Sequence, residues 1–181
     1  MPKLTIDEIR QRFSSATDFN EIFDAFEAAL NGKIEDIELY RLLFWNDSLT
    51  PDELCLFGEK LAQVFPDLAY DVYMWLAKVF EVTYSMYDNY ELTLQYFNKA
   101  ASVKPDEAET YIAASDCYEA DLNIPPINYL IEFLKQGLEY VKEKTLLFKR
   151  LSELYEKGGD EGQSQYYRKK AEEGEGLHPE Q

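Results

Sequence analysis

Histidine is nearly absent from this chain. His178 is the only one in 181 residues, and it sits in a polar stretch near the C-terminal end. A Ser-His-Asp triad, a Cys-His site or a His acid–base pair therefore has nothing to build on. Cysteine is almost as scarce: Cys55 and Cys117 lie far apart, each among apolar residues of a predicted helix. They read as buried free thiols in a reducing compartment rather than as a zinc site or a disulfide. No Asp-x-Asp-x-Asp-Gly calcium loop occurs. Gly158-Gly159-Asp160-Glu161-Gly162 follows a helix and lacks the Lys-Ser/Thr of a phosphate loop, so it reads as a turn. No apolar run approaches the ~18 residues of a membrane helix. The opening MPKLTIDEIRQRF has no apolar core of the signal-peptide kind. A cytoplasmic protein without cofactor or metal is the expectation. Asn46-Asp47-Ser48 spells a glycosylation sequon, taken as chance in such a protein.

Positive charge is also in short supply. Lys and Arg number 18 against 35 Asp and Glu, a formal net charge of −17. Phosphate backbones and anionic bilayers would be repelled, which argues against nucleic acid and membrane as partners. A basic protein or peptide fits the balance, and so does simple solubility. Carboxylate pairs three residues apart, Asp116 with Glu119 and Glu153 with Glu156, share predicted helix faces. They read as solvated faces, and no enzyme is expected.

What is abundant is apolar and aromatic. Hydrophobic residues make up 46%, enough for a core, and 14 Tyr with 11 Phe suit a helical stack with many seams. Alternation with period two never persists, so the chain reads as all-α with about ten helices. Two capping boxes open helices, Thr5-Ile6-Asp7-Glu8 and Thr50-Pro51-Asp52-Glu53. Ile6, Ile9 and Phe13 make the first apolar face. Phe19, Ile22, Phe23, Phe26 and Leu30 make the second, which ends at Asn31-Gly32 through residues that tolerate positive φ. A third helix is predicted over 34–45, a fourth to Phe65, and a fifth from Asp67 as far as Ser85. Ser85 to Asn89 reads as a turn. The next two helices flank Pro105, with Thr93, Phe97 and Ala100 on one face and Tyr111, Ala114, Ser115 and Tyr118 on the other. Three more helices follow, and the chain is expected to fray from Glu172.

The chain also repeats itself. Ala100 and Leu134 are equivalent positions 34 residues apart, and Thr93 and Phe97 then match Ile127 and Ile131. Phe148, Leu151, Ser152 and Tyr155 echo Tyr111, Ala114, Ser115 and Tyr118, as do Tyr73, Leu76, Ala77 and Phe80. A period near 34 built from a helix pair is the tetratricopeptide signature. On these residues the chain resembles the tetratricopeptide repeat (TPR) family over about 67–171. The implied fold is an α-α superhelix of antiparallel helix hairpins, a TPR-like solenoid. The expected division is a single domain over 1–174, with capping helices in 1–33 and a degenerate repeat in 34–66. Repeats follow over 67–105, 106–142 and 143–174, and 175–181 is a disordered tail. Ile127 and Leu134 stand where the family has small residues, so their hairpin should splay. The connection between Phe80 and Thr93 is about four residues longer than the family pattern.

In this family the first helix of each pair lines a concave groove where extended peptides bind. The resemblance thus implies a lining of Asp71, Met74, Trp75, Lys78 and Glu81, then Glu109, Ile112, Asp116 and Glu119, then Lys149, Glu153 and Glu156. The set is mostly acidic. Members that grip a C-terminal carboxylate use Lys, Arg and Asn here, and Lys78 lacks that company. The expected function is a protein–protein interaction scaffold or adaptor. It would hold a basic or amphipathic peptide in an acidic concave groove, with Met74, Trp75 and Ile112 as anchors. Two further readings stand beside it: a small acidic chaperone for secreted or assembling clients, and a structural module that self-associates as a homodimer.

Overall fold

The computed structural model describes residues 4–83 and 86–175. Among these residues lie ten α-helices: α1 (Ile6–Ser15), α2 (Phe19–Asn31), α3 (Ile37–Phe44), α4 (Pro51–Val64), α5 (Ala69–Val82), α6 (Met86–Val103), α7 (Ala108–Asp116), α8 (Ile127–Tyr140), α9 (Thr145–Lys157) and α10 (Glu161–Glu175). Both predicted capping boxes form. The Thr5 hydroxyl accepts the Glu8 N–H at 3.3 Å, and the Glu8 carboxylate accepts the Thr5 N–H at 2.7 Å. Thr50 and Glu53 repeat the exchange at 3.4 and 2.8 Å. Asp18 caps α2 one way, its carboxylate accepting the Asn20 and Glu21 N–H groups at 2.9 and 3.2 Å. Each such cap is worth about 1 kcal/mol.

Several boundaries move for physical reasons. α3 opens at Ile37 rather than Ile34, because the Asp36 carboxylate caps it by accepting the Glu38 N–H at 3.0 Å. The positive φ after α2 falls on Lys33 (51°), while Gly32 keeps a helical −75°. Pro66–Leu68 form a single 3-10 turn before α5. The long connection after Phe80 is spent on helix: α6 already begins at Met86, where a turn through Asn89 was expected. Tyr84 and Ser85, the predicted end of the fifth helix, lie outside the described residues. α7 stops at Asp116, so Tyr118 and Glu119 leave the helix. The loop 117–126 closes instead on a backbone bridge between Glu119 and Ile124, with N–H···O distances of 2.7 and 3.3 Å. Asn123 braces that loop, its side-chain oxygen accepting the Ile127 N–H at 3.2 Å. α10 runs through Glu172 to Glu175, and 176–181, His178 included, lie outside the described residues.

The helices pack in two layers. α1 touches α3, α3 touches α5, and α7 touches α9. The Thr110 hydroxyl on α7 reaches Tyr70 of α5 at 3.1 Å and joins the series. Opposite them, α2 packs on α4, Glu59 of α4 pairs with Lys99 of α6, and Asn98 of α6 bonds Tyr129 of α8. α5 with α6 and α9 with α10 pack along their length, whereas α7 and α8 meet over less of theirs. This agrees with the bulk of Ile127 and Leu134 and with the ten-residue connection 117–126.

Small residues set the close approaches and aromatics fill the seams. Thr93, Phe97, Ala100, Tyr111 and Ala114 are fully buried. Phe26 meets Phe57 edge-on at 4.8 Å, and Phe80 stacks on Tyr96 at 5.6 Å. Two residues of the predicted apolar faces do not join the core: Ile6 and Phe23 are exposed. Asn46, the sequon residue, is buried. Its amide donates to the Phe13 and Ala16 carbonyls at 2.9 and 3.0 Å, and its oxygen accepts from Ser48. It ties the α3–α4 loop to the end of α1, and no sugar could reach it. Both cysteines are free thiols, Cys117 buried and Cys55 half-buried.

Two predictions follow from this packing. A Cβ at Gly137 would stand 2.8 Å from the Tyr111 ring and 2.9 Å from Leu147. Gly137→Ala gains about 1 kcal/mol of helix propensity but overpacks the seam by about 1–3 kcal/mol. Urea melts are expected to give net destabilisation. Burial also pushes up the Tyr40 and Tyr96 phenols and the Cys55 and Cys117 thiols. Raised folded-state values contribute stability below the unfolded values, about 8.5 for thiols and about 10 for phenols, and that contribution is lost as pH rises. Unfolding free energy measured by urea between neutral and about pH 10.5 should therefore fall above about pH 8.5.

Candidate peptide-binding surface

The predicted lining residues divide by location. On α5, Asp71, Trp75, Lys78 and Glu81 are half-buried on the layer shared by α3, α7 and α9. Met74 is buried, and its sulfur accepts the Thr110 hydroxyl at 3.6 Å. It belongs to the α5–α7 seam and offers no exposed anchor. On α7, Glu109 and Asp116 are exposed and Ile112 is half-buried. Glu119 lies in the bridged loop beyond the helix end. On α9, Lys149 is half-buried and Glu153 exposed. Glu156 faces α10 and pairs there with Arg168 at 3.0 Å, away from Asp116.

The carboxylates are not a uniform negative field. Arg150 stands between two of them, with one nitrogen 2.8 Å from Asp116 and the other 2.8 Å from Glu153. Glu153, and then Asp116, hold its guanidinium still further above its ordinary high value. Lys78 reaches Glu109 at 3.6 Å from α5 to α7. Arg41 on α3 lies over the Trp75 ring, 4.3 Å from its centroid, and also pairs with Glu38. Trp75 is thus a half-buried ring with one face already covered by a cation. Behind this layer the Cys117 thiol is pushed up by burial first and by the neighbouring Glu81 carboxylate second.

Sequence reasoning passed over Arg150 and Arg41. Arg150 could have been found, since it precedes Glu153 by three and so shares its helix face. Arg41 could not, because the α3–α4 pair matches the repeat pattern too weakly to carry a lining residue. Among the described residues no group of three or more His, Cys, Asp or Glu is placed to hold a metal ion.

Known proteins match the shape of this chain and not its sequence. No family model matches, and no curated protein does either. Among solved structures, a crystal structure of MamA protein superposes with a TM-score of 0.56 at 16% identity, over 96% of this chain and 91% of that one. A second MamA crystal structure gives 0.53 at 16% identity, over 93% and 94%. MamA has a TPR-like helical-repeat fold. This chain has a TPR-like helical-repeat fold. The likeness spans nearly the full length of both chains, the α1–α2 and α3–α4 pairs included. No helix among the described residues is long and apolar enough to cross a membrane.

Burial separates the anchors by experiment. Met74→Ala should lower unfolding free energy by about 2–5 kcal/mol, the range for emptying a core site. Asp71→Ala should stay within about 0.5 kcal/mol. Equal losses in urea melts of the two variants would put Met74 back on the surface.

Proposed function

We propose that the protein is an interaction scaffold that holds a basic or amphipathic segment of a partner protein against the α5–α7–α9 layer. The observation that carries this reading is the run of carboxylates along successive helices, Asp71 and Glu81, then Glu109 and Asp116, then Glu153. Cations of a ligand would compete with Lys78 and Arg150 for these groups, exchanging one set of ion pairs for another. Such exchange gives selectivity and a fast encounter more than raw affinity. Ile112 and the exposed part of Trp75 supply the apolar contacts that would add to it. In this reading residues 1–174 act as one interaction domain in the cytoplasm, and the carboxylates have no catalytic role.

The test uses the whole chain. The wild-type protein and an Asp71→Lys, Asp116→Lys, Glu153→Lys variant are immobilised, and partners are recovered from a lysate of the source cells at rising salt. Circular dichroism melts check that the variant folds. The wild type should retain partners at low salt and release them as ionic strength approaches about 0.5 M, while the variant retains few. Identical recovery by both proteins, flat across salt, would remove this surface from the function.

A further inference from the structure

Two cavities lie away from the α5–α7–α9 layer. One of about 820 Å³ opens between α1 and α2, with Ile6, Ile9, Phe23 and Ala28 in its walls. A second, of about 660 Å³, opens between α2 and α4, with Phe23, Phe26 and Leu56. The two share Phe23 and Glu27, so they form one track across the first helices of the stack. The track is open, and Ile6 (53% exposed), Leu56 (51%) and Phe23 (38%) stand in it among the charged Arg12, Asp24, Glu27, Glu59 and Lys60.

A stack of helix pairs needs polar outer faces at its two ends. The C-terminal end has one. On α10, Gln163, Gln165, Lys169 and Lys170 are exposed beside a single exposed aromatic, Tyr166, while Ser164, Ala171, Gly174 and half of Tyr167 turn inward. At the N-terminal end the polar face is broken among the described residues by Ile6 and Phe23, which stand exposed beside the α1–α2 crevice. Inside the stack the crevice of each pair is filled by the next pair. The crevice of α1 and α2 is the same kind of slot left open, so its shape suits one more helix.

Charge selects the occupant. Residues 18–38 hold seven Asp and Glu against Lys33 alone. α2 carries Glu21, Asp24 and Glu27 on its solvent side and no Lys or Arg. Two cations lie in the track walls, Lys60 and Arg12, and Arg12 donates to the Glu21 carbonyl at 3.4 Å. A second copy of the chain, seated across a two-fold axis, would press Asp24 and Glu27 against themselves as water left the contact. We propose that this track docks an amphipathic helix of a partner protein, its apolar stripe on Ile6, Phe23 and Leu56 and its Lys and Arg residues beside Asp24 and Glu27. This surface is separate from the α5–α7–α9 layer, and each can be occupied without the other.

The probe is a labelled Leu/Lys peptide of about 14 residues with leucines at i, i+3, i+4 and i+7. It is titrated onto the full chain by fluorescence anisotropy at about 0.15 M salt. Ile6→Gln with Leu56→Gln keeps the net charge and touches only exposed positions. This double variant should weaken binding by about tenfold or more. A Leu/Glu peptide of the same pattern should not bind. Hydrogen exchange should show peptide-dependent protection in 6–31 and 51–64. Any of four results overturns the proposal: no binding of the Leu/Lys peptide, equal affinity for the double variant, equal binding of the Leu/Glu peptide, or protection confined to α5, α7 and α9. So does sedimentation showing a dimer that protects the same residues without peptide. Failure of the α5–α7–α9 reading would leave all these readouts unchanged.

Discussion

An amphipathic helix pair cannot bury its own apolar sides, and the whole molecule follows from that constraint. Each pair needs the next one as its lid. The lids must sit close, so the crossing points are small: Ala77, Ala100 and Ala114 are fully buried, and Gly137 lies against the Tyr111 ring. Close crossings leave gaps beside them, and Phe26, Phe57, Phe80 and Tyr96 fill those gaps in pairs. Some polar groups caught between helices find partners there. Asn46 does this at the α1–α3 junction, and Ser152 does it between α9 and α10 by donating to the Ser164 carbonyl at 2.9 Å.

Several of the chain's cations have a similar address. Lys78 joins α5 to α7, Lys99 joins α6 to α4, Arg150 joins α9 to α7, and Arg168 joins α10 to α9. Arg41 covers Trp75 between α3 and α5. Each exposed pair is worth about 0–1 kcal/mol, so they tune the seams more than they hold them. Their placement does shape the surface. The strong acidic excess is partly neutralised where helices meet, and it stays concentrated where no cation is available, as along α2.

Features set by local chemistry were legible in the sequence. The two capping boxes, the ten helices and the seam residues Thr93, Phe97 and Ala100 depend on neighbours within a turn or on a period near 34. What the sequence concealed depends on contacts distant along the chain. The bridge that ends α7 pairs Glu119 with Ile124, and no helical period records it. Met74 looked like a groove residue because it shares a face with Asp71 and Lys78, yet Thr110 on the next pair covers it. Phe23 and Ile6 fit apolar faces by spacing alone. Whether such a face is covered depends on a neighbouring helix, and at the N-terminal end none of the described residues supplies one.

Helices in this protein pack against those one or two places along the chain. Such a molecule has almost no way to carry information from one end to the other except by passing it through every pair between. A helix seated at α1 and α2 would lengthen the array by half a pair and hold that end shut, while α9 and α10 would keep their own local balance of opening and closing. Two partners, one at each end, would then be brought together without sensing each other. Co-localisation without allostery is the natural output of a one-dimensional stack.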